Sequence, residues 1–141
     1  MKLTTKGRYA TRAMLDLALH RDEGAILVRD IARRQEVSEK YLKQLLAPLK
    51  AAGLVRTIRG ARGGFTLAKP PSEIKLIEIV QVMEGSMAPS ECVDDAQICS
   101  RSDSCVIRQV WTEIKEATDK VLESTNLQDL VVRSRLSPVE N

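Results

Sequence analysis

Aromatic side chains are scarce: 3% of the 141 residues, as one Phe, one Trp and two Tyr. A protein that stacks successive bases of a single strand on aromatic platforms is therefore not expected. There is one histidine, His20, and no Cys/His pair or Ser/His/Asp set to activate a nucleophile, so the chain is not expected to be an enzyme. No run of about 18 apolar residues occurs, which excludes a membrane-spanning helix. The segment MKLTTKGRYA has no apolar region behind its charges and does not read as a secretory signal, so a cytoplasmic location is expected. Cysteine is rare and odd in number, three in all, which argues against a disulfide framework and towards metal or redox chemistry.

What is present is unevenly distributed. Hydrophobic residues make up 43%, enough for a core. The net charge is only +3, but residues 1–70 hold 15 basic and 6 acidic side chains, net +9, whereas residues 71–141 hold 7 and 13, net −6. A basic half suggests a polyanionic partner, and nucleic acid is the usual one.

Tyr9 to Leu19 carries Ala10, Ala13, Met14, Leu17 and Ala18 at helical spacing, with Thr4 or Thr5 as its cap. Asp22-Glu23-Gly24 breaks it. Val28 to Gln35 reads as a short second helix, facing Ile31 and Ala32 inward. The turn Glu36-Val37-Ser38 leads into a third helix capped by Ser38, running to about Ala52 and ended by Gly53. Its buried face is Tyr41, Leu42, Leu45, Leu46 and Leu49. Pro48 lies inside it and predicts a kink near Gln44 to Pro48, or a break. Strands follow at Leu54 to Ile58 and Gly64 to Leu67, joined by the glycine-rich tip Arg59-Gly60-Ala61-Arg62-Gly63.

Leu76 to Glu84 reads as a helix buried through Leu76, Ile79, Val80 and Met83. Gly85 to Ser104 shows no period. Cys105 to about Thr125 is a long helix whose Ile107, Trp111, Ile114, Thr118 and Val121 form a seam, widened by Val110, Ala117 and Leu122. The chain has little material to cover that seam, so a homodimer is expected. The fold class is mostly α with a small β-hairpin wing. The domain plan is a winged helix-turn-helix over 1–71, a helix and cysteine loop over 72–104, a dimerisation helix and short helix (Leu127 to Val132) over 105–132, and a flexible tail over 133–141.

Two short helices around a tight turn, followed by a hairpin, outline a winged helix-turn-helix. Such a helix enters the major groove with its N-terminal residues against base edges. Here those residues are Ser38, Lys40, Tyr41, Lys43 and Gln44. Lys40 and Lys43 suit phosphate or guanine, Gln44 suits adenine, and Ser38 or Tyr41 suits phosphate. The hairpin tip offers Arg59 or Arg62 to the minor groove.

Cys92, Cys99 and Cys105 are spaced C-x6-C-x5-C, two in the loop and one opening the long helix. Thiolates suit zinc or an iron–sulfur centre. The paired C-x2–4-C spacing of structural zinc sites is missing. A fourth ligand could be Glu91, Asp94, Asp95, Asp103, an arginine or a group from another subunit.

Taken together, MKLTTKGRYATRAMLDLAL, the stretch from Ser38 through Tyr41-Leu42, Gln44-Leu45-Leu46, Leu49 and Ala52-Gly53-Leu54-Val55, the wing VRTIRGARGGFTLAK and C-x6-C-x5-C resemble the IscR-type iron–sulfur regulators over roughly residues 1–132. The resemblance implies a homodimeric regulator of iron–sulfur cluster assembly genes that binds double-stranded operator DNA. It implies a 2Fe–2S cluster on Cys92, Cys99 and Cys105, delivered by the iron–sulfur assembly machinery. It also implies recognition-helix contacts near Ser38 to Gln44 and minor-groove insertion of Arg59. One position departs from the pattern: the family's fourth ligand, a histidine three residues after the third cysteine, is replaced here by Arg108. Relatives that ligate through an acidic residue at the start of the first helix carry it where this chain has Arg8. Cysteine-metabolism relatives carry no cluster and work with a protein corepressor.

Overall fold

The computed structural model describes residues 2–137. The first helix, α1 (Thr5–Leu19), begins four residues earlier than periodicity predicts, because the Thr4 hydroxyl accepts a hydrogen bond from the Gly7 N–H. α2 (Val28–Gln35) ends at Glu36, a left-handed residue with φ 57°. α3 (Glu39–Ala51) is capped by Ser38 Oγ, which accepts from Tyr41 N at 3.0 Å. Strands β1 (Val55–Ile58) and β2 (Gly64–Leu67) form an antiparallel hairpin in the register Val55↔Leu67, with Ile26 bridging the outer side of Phe65.

A break in α3 at Pro48 is not found; the helix is continuous from Glu39 to Ala51. Proline removes one hydrogen bond, to the Gln44 carbonyl, on a face that water reaches. On the opposite face Leu42, Leu45, Leu46 and Leu49 are all at most 1% exposed. Burying each leucine contributes roughly 1.5–3 kcal/mol, which outweighs one lost hydrogen bond. Tyr41, expected on this buried face, is only half-buried.

α4 (Leu76–Glu84) buries Ile77, Ile79, Val80 and Met83, while Leu76 is half-buried. The segment from Gly85 to Ser104 is not wholly irregular. It holds the single turn α5 (Glu91–Asp94) and a 3₁₀ turn over Ala96–Ile98. α6 (Val106–Ser124) is capped by Cys105, and α7 (Leu127–Leu136) by Asn126, which accepts from Asp129 N. α7 continues four residues past its expected end at Val132. Residues 133–136, expected in a flexible tail, are therefore helical: burial of Leu127 and Val131 anchors the helix, and Arg133 and Arg135 suit its C-terminal dipole. Residues 138–141 of the expected tail lie outside the described residues.

The core is built around α1, which packs against α4, α7, α2, α3 and β2. Ala10, Ala13 and Met14 are fully buried at its centre. Leu76 N donates to the Thr125 carbonyl and Leu127 N to the Ile74 carbonyl, so α7 is stitched to the start of α4. By contrast, α6 buries no residue fully. It packs against α4 and α5, and leaves Val106 70%, Ile107 58% and Val121 62% exposed.

Candidate nucleic-acid interface and cysteine loop

The N-terminal part of α3 presents Ser38, Lys40, Lys43 and Gln44 to solvent. Capping uses one acceptor lone pair of Ser38 Oγ and leaves its O–H free to donate. Lys40 and Lys43 form no ion pair among the described residues, nor do Arg59 and Arg62 at the exposed wing tip. The lysines and Gln44 line one shallow surface with Glu39 and Ala47. Unneutralised cations beside an exposed amide suit a phosphate backbone with base edges behind it.

The wing's shape is set by close backbone approach. A Cβ on Gly63 would overlap the Ile58 carbonyl oxygen, and one on Gly64, at φ 154°, would overlap the Ile26 carbonyl. Only glycine lets the tip fold back this tightly between Arg59 and β2.

Tyr41 does not project freely beside the lysines. Its ring meets the Tyr9 ring edge-on, with centroids 6.2 Å apart, and the Arg12 guanidinium lies 5.4 Å over Tyr9. Arg12 Nε donates to Gln35 Oε1 at 2.9 Å, and Gln35 Nε2 donates to Asp16 Oδ2 at 3.0 Å. Asp16, 3% exposed, also receives both arms of Arg34 at 2.8 and 2.6 Å. The hydrogen bond to Asp16 outweighs the desolvation of Arg34 and holds its guanidinium above the ordinary arginine range. These contacts fasten α1, α2 and the start of α3 to one another. Pattern-reading passed over Asp16, although an acid between Met14 and Leu17 on an apolar stripe was a usable signal.

In the cysteine loop, the Cys105 sulfur caps α6 by accepting from Arg108 N at 3.4 Å, and Arg108 Nε donates to the Cys92 carbonyl at 2.7 Å. Arg108 thus ties α5 to the start of α6. Cys99 is exposed, whereas Cys92 and Cys105 are half-buried, and all three are free thiols. Among the described residues, no three Cys, His, Asp or Glu side chains stand close enough together to hold a metal ion. In kind, three thiols on one loop fit a soft-metal or iron–sulfur centre. In arrangement they do not converge. The same loop buries the Ser102 hydroxyl, its residue 6% exposed, with no hydrogen-bond partner among the described residues. An unsatisfied group of that kind costs roughly 1–3 kcal/mol.

The loop is coupled to the basic half by a contact that sequence could not show, because its partners are 80 residues apart. Glu84, the last residue of α4, accepts from Thr4 N at 3.0 Å and from the Thr4 hydroxyl at 2.5 Å. A side chain on Gly7 would collide with this carboxylate. Its negative charge also sits at the N-terminus of α1, where the helix dipole favours it. The chain enters the cysteine loop at the next residue, Gly85.

Comparison with known proteins converges on one group. Residues 3–133 match the family model Rrf2, described as an iron-dependent transcriptional regulator. The chain is 41% identical to the HTH-type transcriptional regulator CymR of Bacillus subtilis, covering 92% of this chain and 89% of that protein. It is 39% identical to the HTH-type transcriptional regulator IscR of Photorhabdus laumondii, covering 93% of this chain and 79% of that one. Among solved structures it is similar to T. potens IscR, with TM-score 0.81 and 38% identity over 100% of this chain and 93% of that chain.

Proposed function

From the premise that the chain belongs to the Rrf2 family of DNA-binding transcription regulators, we propose that it controls genes of iron–sulfur cluster assembly and that a 2Fe–2S cluster on Cys92, Cys99 and Cys105 modulates its hold on DNA. The observation that carries the DNA reading is a set of exposed cations, Lys40, Lys43, Arg59 and Arg62, that form no ion pair among the described residues. Lys40 and Lys43 flank Gln44 on α3, and Arg59 and Arg62 tip the wing. Gln44 reads a base edge in the major groove, Ser38, Lys40 and Lys43 fix the register on phosphate, and Arg59 enters the minor groove with Arg62 beside it. Tyr41 orients α3 through Tyr9 and presents its hydroxyl to phosphate.

The protein acts as a homodimer through the outward face of α6, where Val106, Ile107, Val110 and Val121 are exposed. Two copies address two half-sites. The assembly machinery of a reducing cytoplasm supplies the cluster.

Cys92, Cys99 and Cys105 would hold the cluster, which when bound would supply covalent ties between the three thiolates. The residues of the chain then do the transmitting. Arg108 holds α5 to α6, so closure of the loop acts on both elements. Glu84 holds the loop's entry to the N-terminus of α1, on which α2 and α3 pack. Couplings of this kind are typically ~1–3 kcal/mol, or ~5–150-fold in affinity. A cluster-free regulator working with a protein corepressor is the second reading. It is favoured by the unconverged thiols and by the similarity to CymR, described as the global cysteine regulator of B. subtilis.

The test is DNA affinity at fixed salt, using duplexes selected from a random library. Arg59→Ala should weaken binding about tenfold or more, and wild-type affinity should fall steeply with salt as counterions are released. Unchanged affinity in the variant removes Arg59 from the interface, and a flat salt plot removes the electrostatic reading.

A further inference from the structure

A cavity of about 330 Å³ lies between α4, the start of the cysteine loop and α6. It is near the lower limit for small-molecule sites, ~300–1,000 Å³. Its floor is apolar: Ile77, Val80 and Met87 are buried, and Leu122 closes the α6 side. Its rim carries charge of both signs. Lys115 Nζ donates to Asp119 Oδ2 at 2.6 Å, with side chains 28% and 24% exposed. Asp94 supplies a second carboxylate, and the Gln81 amide makes no hydrogen bond among the described residues. Lys115, Asp119 and Leu122 recur at i, i+4 and i+7, so they share one face of α6, about a quarter turn from the Ile107–Trp111–Ile114 seam.

We propose that this cavity binds a free α-amino acid with an uncharged side chain, as the zwitterion. The ligand ammonium lies between the Asp94 and Asp119 carboxylates. Its carboxylate meets the Lys115 ammonium, which has two N–H donors beyond the one given to Asp119, and the Gln81 amide. Its side chain covers Ile77, Val80 and Leu122. A simple amine leaves Lys115 facing an apolar ligand, and a simple acid meets two carboxylates; a zwitterion answers both signs. Occupancy bears on α4, whose last residue holds the N-terminus of α1.

Calorimetric titration of the full chain with the standard L-amino acids tests it, with L-leucine and L-methionine as leading probes. The expected result is saturable, submillimolar binding of an uncharged amino acid. N-acetyl-L-leucine and L-leucinamide, each lacking one charge, should bind about tenfold more weakly or worse. Asp94→Asn and Lys115→Met change rim residues without touching the buried floor and should each lower affinity by a similar factor, with thermal unfolding confirming that they fold. Absence of binding by every amino acid overturns the proposal. So does binding that survives both substitutions, or derivatives that bind as well as the parent.

Discussion

Asp16 is the residue whose loss should be felt most. Its carboxylate is buried and receives Arg34 and Gln35, and Gln35 in turn holds Arg12. Asp16→Ala strands a guanidinium and an amide on α2. Breaking such a pair from the buried side costs about 3 kcal/mol, readable as a lower urea midpoint at unchanged slope; a variant as stable as wild type would show that Arg34 and Gln35 find water instead. Glu78 gives a pH signature. Burial pushes its carboxyl up, but hydrogen bonds from Lys75 N at 2.8 Å and Lys69 Nζ at 3.1 Å prevail and hold it below the ordinary glutamate value. A depressed folded pKa contributes stability above the unfolded value, lost as pH falls through the folded one. Glu78→Gln should therefore flatten the acid limb of the stability curve below about pH 4.5, and an unchanged limb would assign the acid loss elsewhere.

At the scale of elements, legibility tracked how local the determining interaction was. Ser38 as a cap, the apolar stripe of α1 and the glycine-rich wing tip are short-range features, and each element formed there, with α1 starting one turn earlier than its stripe. The break offered for Pro48 does not occur, because its cost was weighed without the four leucines on the opposite face of α3. Asn126 and the burial of Val131 carried α7 beyond the expected stop. The Glu84–Thr4 and Arg108–Cys92 contacts depend on tertiary placement and left no periodic trace. α6 is the element with unfinished packing: it is amphipathic but buries no residue fully. Val110→Asp with Val121→Asp should yield a folded monomer in sedimentation with an unchanged helical spectrum. A dimer that persists would place the interface elsewhere.

For the whole molecule, the +9 and −6 halves now have separate tasks. The positive half is a winged helix with exposed cations on α3 and the wing, and the family assignment makes DNA its partner. The negative half holds the cysteine loop and the uncovered helix, joined to the first half through Glu84 at the N-terminus of α1. The cations of α3 and the wing were readable from charge and the turn between two helices, and the structure places them at the surface. Whether three thiols meet was not readable, because a 20-residue aperiodic segment specifies no geometry of its own. We propose that this loop closes on an iron–sulfur cluster although Arg108 stands where the resemblance to IscR-type regulators places a histidine. The most direct measurement is anaerobic reconstitution of the wild-type chain, reading visible absorbance with iron and acid-labile sulfide per chain. About two of each per chain are predicted for a 2Fe–2S centre, lost when Cys92, Cys99 and Cys105 are all replaced by alanine. A colourless wild type, or a triple variant that still takes up iron and sulfide, would contradict it.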